Sequence, residues 1–180
     1  MKITMVLGSP REDSISTKLA MRFADGAEEA GHEIRIYNVN DMDIMGCQAC
    51  GCCRKHGVDC VVEDDMEEYF TDLRQSGALV ITSPNYYSHV TGPMITFMNR
   101  HYCLLDKEKK PRLEETRKLF AFFAQGAPEG YEKYIPNYEW YIGTFTSKNM
   151  ELVRQIIAGG DSDTEALYEE AYQAGKALQD

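Results

Sequence analysis

Five of the six cysteines in this 180-residue chain fall in one run, GCQACGCCRKHGVDC, residues 46–60. The spacing is Cys47-x2-Cys50-x2-Cys53-x6-Cys60, with Cys52 left over. Thiolates this closely spaced let one loop wrap a compact iron–sulfur cluster, and the turn at Gly57 brings Cys60 within reach. Four thiolates also suit tetrahedral zinc, although structural zinc usually draws them from two separated C-x2-C pairs. A Cys-x-x-Cys redox dithiol is a third option, but thioredoxin-type motifs open a helix directly after the first strand of a βαβ unit, and this run does not. A Cys47–Cys60 disulfide and a packing or subunit-contact role complete the alternatives. His56 lies inside the run and is a ligand type in its own right. Cys103, alone on an apolar helical face, reads as core.

Two other stretches carry ligand-binding residue types. In GSPREDSIST (8–17), Ser9, Ser14, Ser16 and Thr17 precede a helix start. Hydroxyls and backbone N–H groups converging at a helix N-terminus suit a dianionic phosphate. A Ser-rich turn with an N-cap is the plain alternative. The run is neither GxxxxGK[ST] nor GxGxxG. SPNYYSHVTGP (83–93) brings Asn85, Tyr86, Tyr87 and His89 to a Gly-containing turn. Aromatic side chains there can bracket a flat ring whose polar edge meets backbone amides, or can simply cap the end of a sheet. His89 is eligible to tune a bound ring because imidazole titrates near pH ~6.5, and is otherwise a loop histidine. His32 and His101 read as incidental.

The elements that must position these loops alternate along the chain. KITMVLGS (2–9) is an apolar run ending at Gly8, as for a strand buried on both faces. Leu19, Ala20, Phe23, Ala24 and Ala27 mark a helix that Gly31 ends, and HEIRIYNV (32–39) is a second strand. EDDMEEYFTDLRQSG opens a helix on its acids, with Met66, Tyr69, Phe70 and Leu73 on one face. ALVITSP (78–84) and KLFAFFAQG (118–126) are further buried strands. A helix runs from about Met94 to Tyr102, EWYIGTFTS (139–147) reads as the fifth strand, and 162–179 as an amphipathic closing helix. The alternation implies one doubly wound α/β domain over 1–180, with a parallel five-stranded sheet and helices on both faces. Ligands in such sheets bind at the carboxyl ends of the strands, which directs attention to residues 9–17, 83–92 and 125–131.

Bulk properties exclude several classes. The hydrophobic fraction of 43% and charged fraction of 27% suit a globular domain. Net charge is −10, from 29 acidic against 19 basic residues, and the only basic knot, KEKKPR at 107–112, has acids around it. No nucleic-acid partner is expected from that balance. No apolar run reaches ~18 residues, so no membrane span is expected, and MKITMVLGSP reads as a first strand instead of a signal peptide. With clustered cysteines and no secretion signal, a reducing cytoplasm is expected.

The combination of GSPRxxSxST…L, DDM, and SPxYY…VTGPM…F..R resembles the flavodoxin-like NAD(P)H-dependent FMN reductases. The cysteine run before DDM is similar to that of the iron–sulfur flavoproteins. The resemblance covers residues 1–126 well and the remainder in outline. It implies a flavodoxin-like sheet, with Ser9, Arg11, Ser14, Ser16 and Thr17 holding the FMN phosphate. Pro84, Asn85, Tyr86, Tyr87 and the backbone of Val90, Thr91 and Gly92 would contact the isoalloxazine, and Gln125 and Gly126 would close the third side. Cys47, Cys50, Cys53 and Cys60 would ligate a [4Fe–4S] cluster. Two departures stand out: Asn85, where the family usually has an aliphatic residue, and the loop GAPEGYEKYIPNY (126–138).

The function so implied is an FMN-dependent oxidoreductase. It would pass electrons from NAD(P)H or a ferredoxin-type donor to a flavin, quinone or one-electron acceptor. FMN carries the hydride and electron chemistry, so no catalytic acid–base residue is assigned. Nicotinamide would stack on the flavin without a site of its own. A homodimer or homotetramer is implied, with Trp140, Tyr138 and Tyr141 as spare aromatic residues. The alternative is a flavodoxin-type electron carrier without its own substrate, whose acidic surface would dock a basic redox partner.

Overall fold

The computed structural model describes residues 1–179. Six strands and six α-helices follow one another as β1 (Lys2–Leu7), α1 (Ile15–Glu29), β2 (Glu33–Asn38), α2 (Cys52–His56), α3 (Met66–Gln75), β3 (Ala78–Tyr86), β4 (His89–Val90), α4 (Gly92–Arg100), β5 (Arg117–Ala124), α5 (Ile135–Thr146), β6 (Met150–Ala158) and α6 (Thr164–Lys176). Strands β2-β1-β3-β5-β6 form the sheet in that order, all neighbours parallel. The two-residue β4 pairs antiparallel with the end of β3. This is the expected doubly wound architecture, and its strand order reverses between β1 and β3.

Alternation along the central strands sends successive side chains to opposite layers. From β5, Phe120, Phe122 and Ala124 join Ile3, Met5 and Val80 under α1 and α6. Leu119, Ala121 and Phe123 join Val6, Leu79 and Ile81 under α3, α4 and α5. On the first face α1 and α6 cross backbone to backbone. A Cβ on Gly26 would lie 2.1 Å from Tyr172 O, and one on Gly175 would lie 2.1 Å from Phe23 O. Only glycine permits that approach.

One expected element is corrected. The segment 139–147 forms the end of α5 and its C-cap Ser147, and the fifth parallel strand is β6, Met150–Ala158. The buried residues of α5 are Tyr138, Tyr141, Ile142 and Phe145, the i, i+3, i+4, i+7 spacing of a helix, with Pro136 in its first turn. That period outweighed the β-type composition of the aromatic run. Tyr138 and Tyr141 are consequently core residues with no exposure, and only Trp140 of the three aromatics remains at the surface. The helix expected to run to Tyr102 ends as α4 at Arg100, and a 3₁₀ turn continues over His101–Leu104. Among the described residues no helix is long and apolar enough to cross a membrane.

Candidate functional site

At the carboxyl edge of the sheet, a cavity of about 360 Å³ opens between the ends of β1, β3, β5 and β6. Arg11 and Ser14 border it on one side, Pro84, Asn85 and Tyr86 on a second, and Gln125 with Gly126 on a third. These are residues from all three loops that the sequence singled out, brought to one place by the strand order. Its volume falls in the range of small-molecule sites.

The first loop is braced by its own hydroxyls. Ser14 is the N-cap of α1, and its Oγ accepts from Thr17 N at 3.1 Å. The same hydroxyl lies 2.8 Å from Thr17 Oγ1 and 3.2 Å from Ser16 Oγ, while Ser9 Oγ accepts from Arg11 N at 3.1 Å. Ser9, Ser14 and Ser16 are buried and Arg11 is exposed. The loop thus offers one exposed cation beside a capped helix N-terminus, a combination suited to an anion.

The ring loop is a two-residue hairpin. Asn85 pairs with Val90 and Tyr86 with His89, leaving Tyr87 and Ser88 at the turn with φ of +56° and +76°. Positive φ at both central residues matches a type I′ turn, which normally takes Asn or Gly. Tyr87 stands wholly in solvent, and Ser88 O accepts from Asn137 Nδ2 at 2.6 Å. Behind the turn, Thr91 N donates to Ser83 Oγ at 3.1 Å and Thr91 Oγ1 to Gly8 O at 2.9 Å. Val90 and Thr91 are buried, Gly92 begins α4 and is exposed, and none of the three, nor Tyr87, borders the cavity. His89 meets Trp140 edge to face at 5.6 Å and its Nδ1 accepts from Val90 N.

A polar chain joins two walls of the cavity. Asn85 Nδ2 donates to the Tyr138 hydroxyl at 2.9 Å, which donates to Gln125 Oε1 at 2.8 Å. Gln125 Nε2 in turn donates to Pro128 O at 2.5 Å. Tyr138 is fully buried and stacked on Phe123 at 4.3 Å, and burial pushes its phenol up to about 12. Asn85, the departure from the family pattern, is thereby an anchored side chain.

The sequence did not single out the fourth side, formed by Gly159, Gly160, Ser162 and Thr164. A Cβ on Gly159 would lie 2.1 Å from Glu129 N, and one on Gly160 would lie 2.4 Å from Gly126 O. Asp163 caps α6 through Glu165 N and Ala166 N. The signal was GGDSDT, a Gly-rich turn with an N-cap like that of the first loop. Placing the last strand at 139–147 hid it.

The cysteine run leaves β2 and forms a loop that holds the short α2. Cys47 and Cys50 are exposed, Cys52 and Cys60 half-buried, and Cys53 and Cys103 buried, all as free thiols. Burial first, and then the Cys60, Cys50 and Cys47 thiols, push Cys53 above the ordinary thiol value. Cys52, outside the ligand set, hydrogen-bonds to Cys50: its amide and then its thiol hold Cys50 below the ordinary value. Among the described residues no three His, Cys, Asp or Glu side chains come close enough to share one metal ion. His56 is exposed on α2 and joins no such group.

Arginines tie this loop down. Arg54 donates to Asp106 O at 2.9 Å and Lys107 O at 2.6 Å, and Arg112 to Gly57 O and Val58 O, both at 2.6 Å. Arg100 and Asp64 form a buried ion pair at its base. Burial works against the charge on Arg100, but the Asp64 hydrogen bond and then the adjacent Cys60 thiol outweigh it.

With this geometry in place, similarity to known proteins decides the family. A family model described as NADPH-dependent FMN reductase matches residues 1–133. The chain belongs to that family. An iron–sulfur flavoprotein of Archaeoglobus fulgidus is 35% identical over 137 residues, covering 75% of this chain and 60% of that relative. Another, from Methanocaldococcus jannaschii, is 34% identical over 111 residues, 61% of this chain and 55% of that relative. The chain thus spans less than two thirds of the length of these curated relatives. Among solved structures, an NAD(P)H:quinone oxidoreductase from Methanothermobacter marburgensis superposes with a TM-score of 0.77 at 16% identity, covering 98% of this chain and 96% of that one. An FMN-dependent NADH-azoreductase from Bacillus anthracis, solved with FMN, gives 0.74 at 16% identity over 99% of both chains. Fold and family membership agree with the resemblance drawn from the motifs.

Proposed function

We propose that this protein is an FMN-dependent oxidoreductase that takes electrons from NAD(P)H or a ferredoxin-type donor. It delivers them to a flavin, quinone or one-electron acceptor through a [4Fe–4S] cluster. The observation that carries the reading is the cavity itself: an N-capped helix start with Arg11, an aromatic turn and the Gln125–Gly126 wall converge at the strand-order switch. FMN would supply two-electron chemistry with nicotinamide and one-electron chemistry with a partner. Arg11, the Ser14 hydroxyl and the first turn of α1 would hold its phosphate, with Ser9, Ser16 and Thr17 keeping that loop in shape. Pro84, Asn85, Tyr86 and Tyr87, with the backbone of Val90, Thr91 and Gly92, would contact the ring, and Gln125 and Gly126 would close the third side.

Cys47, Cys50, Cys53 and Cys60 would hold the cluster, which would supply a one-electron relay to the surface. α4 links the two sites. It follows the ring loop directly, a Cβ on Gly46 would reach Thr96 in its middle at 3.9 Å, and Arg100 at its end holds the cysteine loop. Its nine residues span only ~12 Å. The protein would work as a single FMN-binding domain in a reducing cytoplasm, as a homodimer or homotetramer.

Anaerobic purification with iron, sulfide and FMN analysis tests the cofactor set; full FMN without iron sinks the relay. Nicotinamide oxidation with an artificial acceptor tests the enzyme. Electron exchange with ferredoxin and no nicotinamide turnover would identify a carrier instead, a reading the chain's acidity favours.

A further inference from the structure

Two pieces of the sequence pattern, DDM at 64–66 and the arginine that ends α4, have no place in the flavin cavity. They meet instead at the base of the cysteine loop. Arg100 is 1% exposed, and its Nη1 donates to Met45 O at 2.7 Å and to the Asp64 carboxylate. Nη2 donates to Val62 O at 3.3 Å. Met45 stands two residues before Cys47 and Val62 two residues after Cys60, so one guanidinium bridges both ends of the loop. Asp64 works from the same point: its Oδ2 accepts from Met45 N at 3.0 Å and its Oδ1 from Met66 N at 3.1 Å. Asp65 extends the closure, accepting from Asp43 N at 2.7 Å.

Stability alone is a weak reason for such a pair, since well-packed apolar residues commonly match or exceed a buried ion pair. Two details point to the thiols. The Cys60 side chain lies against the Arg100 guanidinium, and Arg100 Nε is buried without a hydrogen-bond partner among the described residues. A buried N–H without an acceptor is costly and rare. Cys60 supplies a sulfur beside this guanidinium, and N–H donors to cluster sulfurs raise reduction potentials.

We infer that Arg100, oriented by Asp64, is the positioning residue that closes the cysteine loop by holding its two ends together, with Nε–H as the donor left for a sulfur on the Cys60 side. The inference rests on the cluster reading above for its purpose, but its geometry can be tested without iron.

The experiment uses the full chain, prepared anaerobically, as wild type, Arg100→Gln, Arg100→Lys and the charge-balanced Asp64→Asn/Arg100→Gln double variant. FMN titration reports which variants are folded. In iron-free, reduced protein, the Gln and double variants are expected to alkylate Cys60 at least tenfold faster than wild type and to exchange amide hydrogens of 45–62 faster. Arg100→Lys, which keeps the charge without the fork, should fall between. After reconstitution, iron per FMN should drop below half in the Gln variants, and the potential of any cluster formed should move negative. Wild-type alkylation and exchange in every variant that binds FMN overturns the positioning role. An iron-free wild type whose variants still show a loosened loop refutes the cluster reading and supports the positioning role.

Discussion

Asn85 and Tyr138 are 53 residues apart in the chain, yet the Asn85 amide donates to the Tyr138 hydroxyl at 2.9 Å across the wall of the cavity. The bond continues to Gln125, so the ring loop and the β5 loop are held in register by one buried phenol. Tyr138→Phe strands an amide donor and an amide acceptor together. Its expected cost is about 1–3 kcal/mol of stability, with FMN binding several-fold weaker. Asn85→Leu should cost less, because Tyr138 retains Gln125. Urea unfolding of both apo variants, paired with FMN fluorescence titration, gives the ranking; equal midpoints would remove the network from the account.

Arg11 and Ser14 separate binding from stability. Ser14→Ala removes an N-cap and should lower stability by about 1 kcal/mol. Arg11→Ala alters an exposed side chain, so stability should stay within about 0.5 kcal/mol. It should weaken FMN about tenfold and leave riboflavin, which lacks the phosphate, unaffected. Equal losses for both ligands would place Arg11 somewhere other than over the phosphate.

The thiols should react in a defined order. Cys50 is exposed and held below the ordinary thiol value by Cys52, whereas Cys103 is buried and pushed up to about 12. Brief iodoacetamide treatment of reduced, iron-free protein, read by peptide mass spectrometry, should label Cys50 and Cys47 first and Cys103 only on unfolding. Early labelling of Cys103 would contradict the packing beneath the cysteine loop.

His101 makes stability depend on pH. It is enclosed by Tyr69, Phe70, Phe97 and Phe145, and its ring nitrogens bond Phe97 O at 3.0 Å and Tyr69 Oη at 2.8 Å. Burial first, then Lys148, pushes its value down to about 3. Unfolded His binds a proton below about pH 6.5, while the folded state stays neutral. The unfolded chain therefore holds more protons in that window. The His101 contribution is fully present above pH ~6.5 and falls by ~1.4 kcal/mol per unit toward pH 3. Urea midpoints between pH 7 and 5 should show this slope in the wild type and lose it in His101→Asn.

Much of this was legible in the chain itself. Strands β1, β3 and β5 are short apolar runs closed by turns, and their loops carry the residues that line the cavity. The last third was harder because α5 is rich in residues that also favour strands, and only the spacing of Tyr138, Tyr141, Ile142 and Phe145 declares the helix. β6 is an edge strand with an exposed run at Glu151–Arg154, so it lacks the apolar continuity of the central strands. Cysteine spacing named the thiols of the loop but could not reveal that Arg100, forty residues from Cys60, closes it. Long-range contacts of that kind leave no local periodicity.

The glycine pair at 159–160 has a consequence for how the cavity fills. Its backbone lies so close to Glu129 and Gly126 that no Cβ fits between them. Gly160 N donates to Ala127 O and Glu129 N to Asp161 Oδ1, both at 2.9 Å, so the loops after β5 and β6 are joined into one lip. The facing Tyr86–Tyr87 hairpin, held to β4 by two residue pairs only, is then the wall expected to move when a ligand enters.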